Sequence, residues 1–386
     1  MKIQANINTK DIDFSKLQNK VNTNITKIVD NSNNKEITYN NLLKNNNAET
    51  IDLNIEKVGA FSDFFSGIWA WLDRIGKCGG NQSSLKEHSD YFISLEEVQN
   101  IVHKYYPEAT EEDMELLFSK MELCGCGYVA SINTIFFEYA NRENGEEEFE
   151  RIFGFPMKTN GVYNYELLFL DFFLYCSYYE NDYITIEEAY GNVEEEMEVH
   201  SGDSALSDEE FSRTGMSGTR MSKLPKMFED YMASKGIIVN TAGCEIYRYK
   251  DGTVTDEWPH GEKLSYGSIN LDINSKTYDV YKKKLEDEGY KVPEGEPLSI
   301  EPIDIDLEIM KALLEDGKKI IVSSHDFDLY NPVTDEKKYE DVGGHAMTVL
   351  DVDVDNNKIL VSSWGKSYEL DLNEDDLSGI SVYDFD

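Results

Sequence analysis

The sequence predicts an α+β fold in which an N-terminal helical half packs on a C-terminal antiparallel sheet. Three observations carry this. Segments between residues 94 and 143 place apolar residues at three- and four-residue spacing. From residue 216 onward, helix-like runs end in glycine and lead into short apolar strands. The last 45 or so residues are strand-like runs, "HAMTVLDVDVD", "KILVSSW" and "KSYELDL", joined by short turns.

In chain order, residues 1–57 are polar and rich in Asn and Lys, which predicts an extended or weakly ordered arm. "FSDFFSGIWAWLDRIGK" then sets Phe61, Phe64, Phe65, Ile68, Trp69 and Leu72 on one face of a short helix, a core helix, docking element or pro-segment, and "CGGNQSS" breaks the chain. A helix is predicted from Ser94, with Glu97 at capping-box spacing, and another from Thr110, with Asp113 three residues on. "IEEAYGNVEEEMEVHSGDSALSDEE" lacks apolar periodicity and reads as an insertion or boundary. "SKLPKMFEDYMASKGIIVNT" and "DLEIMKALLEDGKKIIVSSHD" each read as helix, glycine stop, strand, and Asp251-Gly252 centres a hairpin. The organisation predicted is a polar arm with an amphipathic helix over 1–80, a helical region over 81–215 and an α+β region over 216–386.

The 386 residues carry 36 Lys+Arg against 75 Asp+Glu, a net charge of −39. So anionic a surface repels phosphate backbones and anionic lipid, which argues against nucleic-acid and membrane partners and leaves a basic substrate among the candidates. No run reaches the roughly 20 apolar residues of a membrane span. The five cysteines are odd in number and scattered, which fits free thiols in a reducing compartment better than a disulfide framework. With no secretory signal at the start, a cytoplasmic protein is the default, with leaderless export left open.

Chemistry concentrates in "MELCGCGYVASINTIFFEYA". Val129, Ile132, Ile135, Phe136 and Tyr139 share a helical face, which puts Cys126 at the helix start, where free N–H groups and the macrodipole favour a thiolate. Gly125 and Gly127 on either side permit close approach of another backbone. The competing reading is core packing of both Cys124 and Cys126. Zinc is disfavoured because no second cysteine pair exists, and no metal or cofactor is expected. A nucleophile needs a base. Of six histidines, His88, His103, His200 and His260 lie in polar surroundings and His325 ends a strand, whereas His345 follows Gly343-Gly344 and opens an apolar strand.

"GCGYVASIN" opening a helix, "GGHAMTVLDV" opening a strand and "SSWG" on the next strand, in that order, resemble the landmarks of papain-like cysteine peptidases. The closest flavour is the bacterial branch that includes bacteriocin-processing peptidases, and the resemblance covers roughly residues 110–150 and 305–375. It implies a helical and a sheet subdomain meeting at a cleft, Cys126 as nucleophile and His345 as its imidazolium partner. It also implies Trp364 shielding the histidine, with Gly127, Gly344 and Gly365 lining the site. Two departures stand out. Ser362 occupies the position where the family has Asn or Asp to orient the imidazole, and "SKMELCG" ahead of the thiol holds Lys120 and Glu122 but no Gln for the oxyanion.

The resulting expectation is hydrolysis of a peptide or isopeptide bond through an acyl-thioester. The alternatives are an inactive peptide-binding module of the same fold, and a thiol-dependent deamidase or acyltransferase. Asp351, Asp353 and Asp355 have partial EF-hand spacing, but Asn356 and Ser362 stand where Gly and Glu are required, so a hairpin with solvated acids is predicted instead. Gly79-Gly80 resembles the double-glycine junction some relatives cleave, though Lys77 stands where a hydrophobic residue would be expected.

Overall fold

The computed structural model describes residues 77–180, 185–187, 220–249, 253–257, 261–373 and 375–385. The chain divides into two units, 1–57 and 58–386, and every described residue lies in the second. The arm and helix predicted over 1–76, and most of the acidic segment over 186–210, lie outside the described residues.

The helical region runs through α1 (Ser84–Glu87), α2 (Ser89–Ile93), α3 (Glu96–Tyr105), α4 (Glu111–Cys124), α5 (Cys126–Ala140) and α6 (Gly145–Phe153). A small hairpin, β1 (Lys158–Thr159) and β2 (Val162–Tyr163), leads into α7 (Tyr165–Glu180). Thr110 caps α4 as its spacing predicts, its hydroxyl accepting from the Asp113 amide while the Asp113 carboxylate accepts from the Thr110 amide. The predicted cap at Ser94 does not form. Leu95 is the N-cap of α3, and the Ser94 hydroxyl turns back to Tyr91 O at 2.7 Å, finishing the preceding helix. Helix α7, "YELLFLDFFLYCSYYE", is apolar on nearly every face because it is surrounded, so it carries no amphipathic period for sequence reading to find. Its buried Asp171 accepts from Tyr231 Oη at 2.8 Å and pairs with Lys235 at 2.5 Å and Lys104 at 3.3 Å. Burial pushes this carboxyl up, but the two lysines outweigh it and hold it below its ordinary range. The cluster ties α3 and α7 to α8 (Leu224–Ser234).

Two small pairs, β4 (Tyr247–Arg248) with β5 (Val254–Thr255) and β7 (Ile269–Leu271) with β8 (Leu298–Ile300), flank the main sheet. The first is the predicted Asp251-Gly252 hairpin, its turn outside the described residues. The main sheet takes β3 (Asn240–Glu245), β6 (Ser265–Tyr266), β9 (Lys319–Ser324), β10 (Phe327–Tyr330), β11 (Lys337–Val342), β12 (His345–Asp353), β13 (Lys358–Ser363), β14 (Lys366–Asp371) and β15 (Leu377–Asp384). Its order is β11-β10-β14-β13-β12-β9-β15-β3-β6, and every pairing is antiparallel.

Strand alternation divides the core. Ile321, Ala346 and Tyr383 join the cluster built by the helices up to α8, whereas Ile320, Val322 and Met347 face the other way. There they meet α9 (Lys276–Asp287) and α10 (Leu307–Glu315). The α+β class with a large antiparallel sheet is therefore as predicted, but the sheet carries helices on both faces. Helix α5 lies against β12, which brings the two segments singled out by sequence together. Asp353 opposes Lys358 across the β12–β13 turn, so the acidic run 351–355 is a hairpin as expected.

Candidate functional site

The chain passes from α4 to α5 through Gly125, whose backbone is helical. A Cβ there would stand 2.3 Å from Met121 O and 2.4 Å from Phe169 Cζ, so only glycine lets the two helices meet this tightly against α7. The two thiols are thereby separated in role. Cys124 is buried, donates to Lys120 O at 3.1 Å and has its thiol pushed by burial to about 11; it is core. Cys126 is the first residue of α5, as predicted, and is only half-buried. Burial pushes its thiol up too, opposed by the backbone amides of Ala346, Gly127 and Cys126 itself. Those amides are the unpaired donors of a helix start joined by one from β12.

The sheet supplies the partner groups. His345 opens β12 with its ring stacked on Trp364, centroids 4.3 Å apart at 17°. Trp364 and Gly365 form the two-residue turn between β13 and β14, with φ of 44° and 73°. Positive φ at both turn residues suits the twist of a tight hairpin, and Trp364 accepts this unfavourable backbone while its indole covers the imidazole.

The orienting hydroxyl differs from expectation. His345 Nε2 lies 2.7 Å from Ser363 Oγ, whereas Ser362 Oγ donates to Cys78 O at 2.5 Å. The reason is register. Ser362 stands opposite Thr348, whose hydroxyl donates to Ala130 O on α5, whereas Ser363 has the other parity, that of His345.

A segment the sequence reading treated as a breaker completes the site. Cys78 N donates to Gly365 O at 2.8 Å, and Gly80 N to Asn133 Oδ1 at 2.8 Å. Gln82 Nε2 then donates to Glu122 O at 2.6 Å, near the end of α4. The pocket so formed is lined by Gln82, Cys126, Asn133, His345, Ser362, Ser363 and Trp364, with Val129, Ala130 and Ala346. Of the predicted site residues, Cys126, His345, Ser362 and Trp364 meet here, and Gly127 contributes its amide. Gly344 lies alongside, under the His325 ring, and Gly365 lies against Lys77. Gln82, Asn133 and Ser363 were missed. The expected glutamine was sought just ahead of Cys126, but four helices intervene between Gln82 and the thiol.

The pocket has a volume of about 10 Å³, room for about one water. Burial lowers the His345 imidazole to about 4 while it raises the Cys126 thiol. Both shifts favour uncharged groups, so this geometry holds a neutral thiol and neutral imidazole rather than the ion pair the resemblance implies. A neutral thiol and a neutral imidazole lining one pocket are the groups that base-assisted attack uses, with the proton moving as the sulfur does. Among the described residues, no cluster of three or more His, Cys, Asp or Glu is arranged to hold a metal ion, and no helix is long and apolar enough to cross a membrane.

No family model matches this sequence, and comparison with curated proteins and with solved structures finds no match.

Proposed function

We propose that this chain is a thiol acyl-transfer enzyme of papain-like arrangement that hydrolyses a peptide or isopeptide bond. The observation that carries this reading is the convergence on one pocket of a helix-start thiol, a strand-start imidazole under an indole, and a carboxamide from a distant segment. Cys126 Sγ attacks the carbonyl carbon and its proton passes to His345. The tetrahedral oxygen is received by the Gln82 amide and the amides at the start of α5. The C–N bond breaks, His345 returns the proton to the leaving amine, and water hydrolyses the thioester. Ser363 Oγ meets His345 Nε2; a neutral hydroxyl there supplies orientation without a carboxylate's charge.

The test is acylation of the full chain by p-nitrophenyl acetate, followed by release of p-nitrophenolate. Acylation of one thiol is expected, abolished in Cys126→Ala and lowered on the order of 10²-fold or more in His345→Ala. Loss of an oxyanion donor in Gln82→Ala is expected to cost on the order of 10²-fold. Labelling that is indifferent to His345 would sink the reading.

A second reading has its own support. The small pocket and the neutral pair suit an inactive peptide-binding module, which acylation at the rate of a free thiol would favour. Deamidation or transfer to an amine would use the same residues on another carbonyl or acceptor.

A further inference from the structure

Resting on the acyl-transfer reading, we propose that Ser362 and Asn133 form a clamp on the backbone of residues 78–80 whose task is to hold Gln82 at the thiol. Both are then positioning residues for the oxyanion site, and Ser362 serves the side of the reaction opposite to the one its place beside Trp364 implies.

Two residues flanking Gly79 are gripped from three different elements. The β13–β14 turn takes the Cys78 amide through Gly365 O, β13 takes the Cys78 carbonyl through Ser362, and α5 takes the Gly80 amide through Asn133. Gly79 lies between these grips with φ of 90°, and a Cβ on it would stand 2.4 Å from Ser362 Oγ and 2.7 Å from Asn133 Nδ2. The clamp therefore closes on bare backbone and leaves no space for a side chain.

Asn133 and Ser362 are each only 1% exposed. Asn133 Nδ2 lies 3.4 Å from Thr348 Oγ1, which donates to Ala130 O at 3.0 Å, so the clamp is anchored on the helix and strand that present Cys126 and His345. Asn133 is two turns along α5 from Cys126 and so on the same face. Two residues beyond the clamped amide, Gln82 lines the pocket with its Nε2 donating to Glu122 O at 2.6 Å. Sidechain–backbone bonds at 78–80 thus set where a carboxamide stands relative to a sulfur on the same helix as one of the bonds. A displacement of about 1 Å at such a donor can cost on the order of 10²-fold in rate.

The test separates three readouts in the full chain. Acylation by p-nitrophenyl acetate depends on the oxyanion donors, alkylation by iodoacetamide depends on the thiol and its base, and amide exchange at Gly80 reads the clamp alone. For Ser362→Ala and Asn133→Ala, tenfold to hundredfold slower acylation is expected, with the alkylation rate and its pH profile within about twofold of wild type. The loss should not add to that of Gln82→Ala in the double variants. Asn133→Ala should release protection of the Gly80 amide, and Gly79→Ala, which wedges the clamp open, should match Ser362→Ala.

If Ser362→Ala instead moves the alkylation pH profile as Ser363→Ala does, Ser362 acts on the imidazole and the proposal is overturned. Unchanged acylation, full additivity with Gln82→Ala, or a Gly80 amide that exchanges freely in the folded wild type would overturn it as well. Failure of wild-type acylation with a protected Gly80 amide would mean that the acyl-transfer reading has failed, and with it the catalytic task given to the clamp. The grip itself would stand.

Discussion

His345 concentrates the consequences of burial in one titratable group. Its imidazole titrates near 4 in the fold against 6.5 when free, and burial is the cause. The unfolded chain therefore binds a proton that the folded chain refuses between these values. Stability from this residue is complete above about pH 6.5 and is lost as pH falls toward 4, on the order of 3 kcal/mol in all. Denaturant titrations at several pH values should show His345→Gln losing less stability than wild type across that window. Parallel curves would mean that the imidazole is solvated. The same shift keeps His345 unprotonated throughout the neutral range, though as a weak proton acceptor. Acylation by p-nitrophenyl acetate is accordingly expected to stay level from about pH 5 to 8 and to fall only near the His345 value.

At the scale of elements, the α4–α5 junction and the β12–β13 ladder decide the site. Gly125 has a helical backbone that any residue could adopt, so its identity is a matter of space: Met121 O and Phe169 occupy the place of a Cβ. Gly125→Ala must push α7 away from the junction and is expected to destabilise by about 1–3 kcal/mol, measured by urea unfolding. A change under about 0.5 kcal/mol would show that the junction opens at little cost. The thiol at position 126 and the sequence "CGC" are thus explained separately, the glycine by helix packing and the second cysteine by the pocket.

In the ladder, register shifts between Val349 and Asp351. Continued without that bulge, the Asp353–Lys358 pairing would set Ser362 opposite Val349, on the face of His345. The bulge sets Ser362 opposite Thr348 and hands the imidazole to Ser363. The sequence places both serines beside Trp364, but nothing in it marks the bulge, and so the wrong serine is the natural choice.

At the scale of the whole molecule, the net charge of −39 makes the folded state self-repelling. Many lysines are already committed to acidic partners, as Lys358 is to Glu369 and Lys319 to Glu138, so the excess acid has few cations left to meet. Raising salt from 0.01 M to 1 M shortens the screening length from about 30 to about 3 Å, and the thermal midpoint should rise by several degrees over that range. A midpoint that fell would mean that attractive ion pairs outweigh the repulsion.

What sequence alone determined is what local rules govern. The Thr110 capping box, the start of α5 at Cys126, the glycine-terminated helices before β3 and β9, and the strands from His345 onward follow from spacing and capping, which operate within a few residues. Cys126, His345 and Trp364 were legible as a group because each sits at an element boundary with its own local signature. Tertiary structure decided the rest: α7, whose burial on all sides erases its period; β15 in the interior of the sheet; and the entry of Gln82 from beyond four helices. These depend on contacts between segments far apart in the chain, and on one inserted residue in a ladder. Neither leaves a periodic trace in the sequence.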